Sequence, residues 1–182
     1  MVYLYLTNDI PGMTTDEKVR AILRRHYDRT GFCTAITDDA LAVARGEKGK
    51  PYFPNVPGLH FSVSHSGKLF ACAFASFPVG LDIQEYKNRS DESERCMKIA
   101  RRFFHPDETD ALERSTVSAF YKIWTAKEAY VKMTGQGIDG EFGDFCIFDL
   151  DCYLWQADHG NYSVAVCAED ICDVEMNELK NI

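Results

Sequence analysis

Two carboxylates in this chain stand where a carboxylate is costly to leave alone. Asp82 lies in the run Val79-Gly80-Leu81-Asp82-Ile83-Gln84, whose alternation puts Val79, Leu81 and Ile83 on one face of a strand and Gly80, Asp82 and Gln84 on the other. Burial of such a group is unfavourable unless it is paired, hydrogen-bonded or bound to metal. Glu128 falls one helical turn after Trp124 and one turn before Lys132, so the three share a face, and Lys127 stands beside it. A carboxylate flanked by cations can bind a metal ion while the lysines hold phosphate oxygens. In phosphoryl-group chemistry, positioning and charge neutralisation of this kind supply most of the rate. The same residues also have plainer readings. A Glu-Lys pair at i, i+4 is commonly a solvated helix pair worth about 0.2–0.5 kcal/mol. Asp82 equally suits a capped strand end or a partner for Lys or Arg. Spacing alone does not make a metal site.

The elements that would position these groups can be read from pattern. Residues 2–7 read as a strand, and Thr14 with Glu17 forms a capping box ahead of Val19, Ile22, Leu23 and Tyr27 at helical spacing, with Gly31 as the stop. The stretch 36–45 is ambiguous, and residues 46–58 form a loop rich in Gly and Pro. Alternation in residues 59–64 sets His60, Ser62 and Ser64 against Phe61 and Val63; the apolar run 69–75 predicts a strand buried on both faces. Helices are expected over about 91–104, broken by His105-Pro106, and from Ser115 to Lys132 with Gly135 as the stop. Residues 145–155 and 161–168 read as strands around an Asp158-His159-Gly160-Asn161 turn. The fold class is therefore α+β, in two halves, residues 1–77 and 78–182, with the second carrying both carboxylates.

Composition narrows the chemistry. With 182 residues, 46% of them hydrophobic, the chain is long enough for a sizeable core. No apolar stretch approaches the roughly 20 residues of a membrane span. The N-terminus has no basic region before its short apolar run and reads as a strand, not a signal peptide. Seven scattered cysteines without a CxxC pair argue against a disulfide framework or structural zinc and fit a reducing cytoplasm. A net charge of −8 argues against broad binding to nucleic acid or to an anionic membrane. An anionic ligand must then meet a local cluster of cations or a metal.

Four segments occur in order: GKPYFP (49–54), FSVSHSG (61–67), VGLDIQ (79–84) and FYKIWTAKEAYVKMTGQGI (120–138). Together this set resembles the 4′-phosphopantetheinyl transferase superfamily, of the type that activates peptide and polyketide synthases. The resemblance covers residues 49–138 and weakens on either side. It implies a pseudo-twofold pair of similar α+β halves with the active site at their interface. It also implies transfer of 4′-phosphopantetheine from coenzyme A to a serine of an acyl or peptidyl carrier protein, with Mg²⁺ as cofactor and 3′,5′-ADP released. By the same resemblance Asp82 and Glu128 bind Mg²⁺, Lys127 and Lys132 steady the pyrophosphate, and Gly49, Lys50 and Pro51 border the adenine. Ser64 and His65 meet the nucleotide end with its 3′-phosphate, and Asp82, Glu128 and Lys132 form the catalytic set, Glu128 being the candidate proton acceptor.

One position departs from the family pattern: Gln84 stands where a glutamate is usual. Gln84 can reach the ion through its carbonyl oxygen or through water, but supplies no charge, and Glu85 is turned to the other face. The expected consequence is weaker metal binding before coenzyme A arrives. Basic residues of the N-terminal region help grip the 3′-phosphate in the family; Arg20, Arg24 and Arg25 are the candidates here. Arg101, Arg102 and Phe103–Phe104 are candidates for a surface that receives the carrier. A monomer is expected by analogy. The rival reading is a coenzyme A- or carrier-binding homologue with weakened turnover, marked by Gln84. A nucleotide phosphotransferase of another kind would need a GxxxxGK[ST] loop, which the chain lacks.

Overall fold

A computed structural model describes residues 1–30, 37, 39–137, 142–180 and 182. The expected stop at Gly31 and part of the ambiguous stretch 36–45 fall outside the described residues. Strand β1 (Val2–Asn8) leads into α1 (Thr15–Thr30), which starts with the expected capping box. The Glu17 N–H donates to Thr14 Oγ1 at 3.2 Å, and the Thr14 N–H donates to Glu17 Oε2 at 2.7 Å. Two short strands follow, β2 (Ala44–Arg45) and β3 (Pro51–Tyr52), paired with each other across the Gly46–Lys50 turn. Next come β4 (His60–Ser66), β5 (Leu69–Ala75) and β6 (Val79–Glu85). Helices α2 (Glu92–Phe103), α3 (Pro106–Leu112) and α4 (Val117–Thr134) precede β7 (Tyr153–His159), β8 (Tyr162–Ala168) and β9 (Val174–Leu179).

The strands form two main sheets, ordered β4-β5-β1-β9 and β6-β8-β7. Their inner faces meet in one apolar layer: Leu4, Leu6, Ala71 and Ala73 from the first sheet against Leu81, Ile83, Val164 and Val166 from the second. Helix α1 covers the outer face of the first sheet through Val19, Ile22 and Leu23, packed on Tyr5, Phe70, Cys72 and Phe74. Strand β5 is therefore buried on both faces, as its unbroken apolar run predicts. Helix α4 covers the outer face of the second sheet, with Ala129 and Met133 on Ala165 and Cys167. Its other side packs against α2 and α3 through Phe120, Tyr121 and Ile123. The architecture is α+β.

Three expectations need correction. The helix at 106–112 was not anticipated, although Pro106 followed by Asp107 and Glu108 is a helix-start pattern. Residues 145–152 are not strand; 3₁₀ turns occupy Phe142–Asp144 and Ile147–Asp149. Side chains satisfy that backbone: Glu108 accepts the Ile147 N–H at 2.7 Å, and Lys127 donates to the Phe145 carbonyl at 2.7 Å. Finally, β9 leaves the second half and pairs parallel with β1, so the boundary at 77/78 separates the two sheets only as far as β8.

Two devices hold β6 in place. On one side, β4 and β6 run parallel, joined through serine hydroxyls and not backbone carbonyls. The N–H groups of Leu81, Ile83 and Glu85 donate to the Oγ atoms of Ser62, Ser64 and Ser66 at 2.9, 3.3 and 3.0 Å. Serines at period two thus seam the two sheets together. Over the sheet's outer face, α4 crosses β6 at Gly80, where a Cβ would stand 1.8 Å from the Ala129 carbonyl oxygen and 2.5 Å from the Met133 nitrogen. Helix backbone lies where any side chain would be. Gly80→Ala is expected to push α4 off the sheet and cost at least the 1–3 kcal/mol roughly typical of overpacking; chemical denaturation measures it, and an unchanged midpoint would mean that α4 does not pack this closely.

Candidate functional site

The close crossing at Gly80 brings the polar face of β6 under the middle of α4. Between them opens a cavity of about 400 Å³ lined by Ser64, His65, Asp82, Gln84, Glu128 and Lys132. A second cavity of about 450 Å³ adjoins it, sharing Val63 and Lys132, and is walled by Gly49, Lys50 and Pro51. Each falls in the size range of a small-molecule pocket. Segments far apart in the chain therefore meet at one cleft, and of the residues expected to hold the metal or coenzyme A through the four motifs, Lys127 lies elsewhere.

Asp82 is 5% exposed, and its Oδ1 accepts two hydrogen bonds of 2.7 Å, from Ser64 Oγ and from Lys132 Nζ. The Ser64 hydroxyl also accepts the Ile83 N–H, so both of its roles are taken by protein. Ser64 was expected to meet a nucleotide; in this structure its hydroxyl fixes Asp82, leaving the exposed His65 as the side chain of the pair open to a ligand. Glu128, 8% exposed, sits in the same cavity. Burial first, and then the charge of Asp82, push its carboxyl up to about 7, with Lys132 opposing them. Among the described residues no donor is bonded to it. Two carboxylates thus share one cavity in which the Lys132 ammonium is bonded to Asp82, so among the described residues an ionised Glu128 has no cation in contact with it. Asp82, Glu128 and the half-buried Gln84 offer only oxygen and amide donors, a set that suits a hard cation such as Mg²⁺. Glu85 is turned away, paired with Lys87.

Lys50, Trp124 and the α1 arginines also need comment. Lys50 donates to the Met133 carbonyl at 2.5 Å and so ties its loop to the C-terminal end of α4, where a cation is favoured. Burial lowers its pKa. The Gly49-Lys50-Pro51 wall consequently offers a ligand its backbone and proline ring. Trp124, on the helix face shared with Glu128 and Lys132, is half-buried: it stacks on Phe120 with ring centroids 6.0 Å apart and also lines the cavity. Helix α1 contributes Thr15 to that cavity; among the described residues Arg20, Arg24 and Arg25 do not line it.

Lys127 is the correction. Its ammonium is fully buried on the opposite side of α4, bonded to both oxygens of Glu108 at 2.8 Å and to the Phe145 carbonyl, and it lies 4.1 Å from the centre of the Phe145 ring. Neighbours on a helix point about 100° apart, so Glu128 faces the cleft while Lys127 faces α3. It cannot steady a pyrophosphate from there. Glu108, with no exposed surface, was missed in the sequence. It also accepts the His105 N–H at 3.0 Å, as the capping glutamate of α3. The signal available was the spacing of His105 and Glu108 around Pro106, which marks a capping box.

Known proteins similar to this chain share one family description. Residues 78–172 match the profile of the 4′-phosphopantetheinyl transferase superfamily. The chain is 32% identical over 190 residues to the 4′-phosphopantetheinyl transferase Sfp of Bacillus subtilis (strain 168), covering 90% of this chain and 79% of that relative. A second 4′-phosphopantetheinyl transferase from Bacillus subtilis is 32% identical over 179 residues, covering 85% and 77%. The transferase gsp of Aneurinibacillus migulanus is 36% identical over 107 residues, 57% of this chain and 42% of that relative.

Two expectations follow from the electrostatics. Glu128 holds its proton more tightly folded than unfolded, so in metal-free protein its contribution to stability falls as pH rises from about 4.5 to about 7. The loss is on the order of 2–3 kcal/mol, since one pKa unit is about 1.4 kcal/mol. Urea midpoints of wild type relative to Glu128→Gln should decline across that window; parallel profiles would contradict the shift. Lys127→Met strands Glu108 in the core and should cost roughly 3–5 kcal/mol, whereas a phosphate-binding lysine could be lost with little change in stability.

Proposed function

The chain belongs to the 4′-phosphopantetheinyl transferase superfamily, and we propose that it transfers 4′-phosphopantetheine from coenzyme A to a serine of an acyl or peptidyl carrier protein in an Mg²⁺-dependent reaction. The observation that carries this reading is the convergence of Asp82 and Glu128 on one cavity, where burial and then the charge of Asp82 raise the Glu128 carboxyl. The adjoining cavity beside Gly49, Lys50 and Pro51 gives the nucleotide end a place to lie. Asp82, Glu128 and, directly or through water, Gln84 would hold Mg²⁺. The ion, when bound, would neutralise charge on the pyrophosphate.

In the proposed reaction the carrier serine oxygen bonds to the β-phosphorus of coenzyme A. The bond from that phosphorus to the bridging oxygen breaks, and 3′,5′-ADP leaves. Glu128 takes the serine proton. Lys132 lines both cavities and stands where the pyrophosphate would cross from one to the other, so its ammonium stabilises the charge that gathers on the leaving group. The Ser64 hydroxyl keeps Asp82 oriented. His65, exposed at the cavity edge, is the proposed contact for the 3′-phosphate. The exposed Arg101 and Arg102, with Phe103 at 37% exposure, are proposed to meet the carrier; Phe104 is excluded, because it is buried against Phe120.

Gln84 supports a second reading: a homologue that binds coenzyme A but turns over poorly. Mass measurement of a carrier protein after incubation with coenzyme A and Mg²⁺ separates the two, since only a transferase adds one phosphopantetheine. Glu128→Gln should lower the rate by about 10² or more, and Gln84→Glu should retain transfer at lower Mg²⁺ concentrations. Undiminished transfer by Glu128→Gln would remove that residue from the mechanism. Coenzyme A binding without any mass gain would favour the second reading.

A further inference from the structure

We propose that Cys152 and Cys167 are an oxidative modification site, closing to a reversible disulfide on the side of the second sheet that α4 covers. Their sulfur atoms are 3.1 Å apart, although the residues are 15 positions apart in the chain. The β7–β8 pairing sets Leu154 opposite Cys167, and Cys152 reaches back over that pair. Both are free thiols, and among the described residues no other two thiols touch. A disulfide bond is about 2.0 Å long, so closure requires a further approach of about 1 Å shared by two side chains.

The two thiols are unequal in a way that orders the reaction. Cys152 is partly exposed, and Cys167 is wholly buried under Ala129 and Met133 of α4. Burial also pushes the Cys167 thiol well up, so it does not open the reaction as a thiolate. A small-molecule disulfide therefore meets Cys152 first. The Cys152 thiolate bonds to one sulfur of the oxidant, the oxidant's own S–S bond breaks, and one small thiol leaves. The Cys167 sulfur then attacks Cys152 Sγ from its position alongside, gives up its proton to the departing thiolate, and expels the second small thiol. Two protein thiols are oxidised and one disulfide is reduced to two thiols. The cross-link would tie the segment entering β7 to the strand on which α4 rests, next to the turn of α4 that carries Glu128 and Lys132.

The test is incubation of the folded protein with oxidised glutathione, followed by denaturation, alkylation of remaining thiols and peptide mass mapping. Wild type should lose two hydrogens in a bridge between Cys152 and Cys167 and recover both on addition of dithiothreitol. Cys167→Ser, or Cys167→Ala should the serine fail to fold, should stop with glutathione attached to Cys152; Cys152→Ser should leave Cys167 unmodified. A bridge mapped to other cysteines, glutathione retained on Cys152 in wild type, or no reaction at either thiol in the folded protein would each overturn the assignment.

Discussion

The site depends on one contact without side chains: the backbone of α4 against Gly80 of β6. Backbone touching backbone sets the helix as near to the sheet as chemistry permits, and it does so two residues before Asp82 on the strand and beside Ala129 on the helix. A carboxylate from each element is thereby held over one cavity. The serine seam from β4 fixes one edge of β6 and backbone pairing with β8 the other, and one of the seam's hydroxyls also grips Asp82. Position is determined on both sides of the strand before any ligand is considered.

Held together in this way, the carboxylates create a charge problem that the protein answers only in part. Lys132 reaches Asp82, while Glu128 keeps its charge only above a pH of about 7. This incomplete compensation is the physical basis for expecting a cation there, because burying like charges side by side is unfavourable until a counter-ion arrives. The contrast with Lys127 and Glu108 is instructive. That pair satisfies itself fully, with both glutamate oxygens, a backbone carbonyl and two backbone N–H groups accounted for. It has nothing left to offer a ligand and holds α3, α4 and the 142–149 segment together.

Much of this arrangement was legible in the chain before any coordinates. Strand alternation correctly set Asp82 and Gln84 opposite Leu81 and Ile83, and helical spacing correctly set Glu128 with Lys132. What alternation could not say is what each face meets. Ser62, Ser64 and Ser66 recur at period two, but only the packing of one sheet beside another turns them into acceptors for the backbone of β6. Lys127 read as a site residue because sequence places it next to Glu128; its partner Glu108 is brought to it by the turn from α2 into α3. Strand β9 pairs with β1 at the opposite end of the chain, a long-range choice on which local pattern is silent.

The central claim is that the carboxylates of Asp82 and Glu128 share one divalent ion. Anomalous X-ray diffraction from crystals grown with coenzyme A and Mn²⁺ in place of Mg²⁺ tests it most directly. The account predicts a single strong manganese peak between those two side chains, beside the pyrophosphate. Coenzyme A seated in the cleft with no peak there, or a peak bound by only one of the two carboxylates, would contradict it.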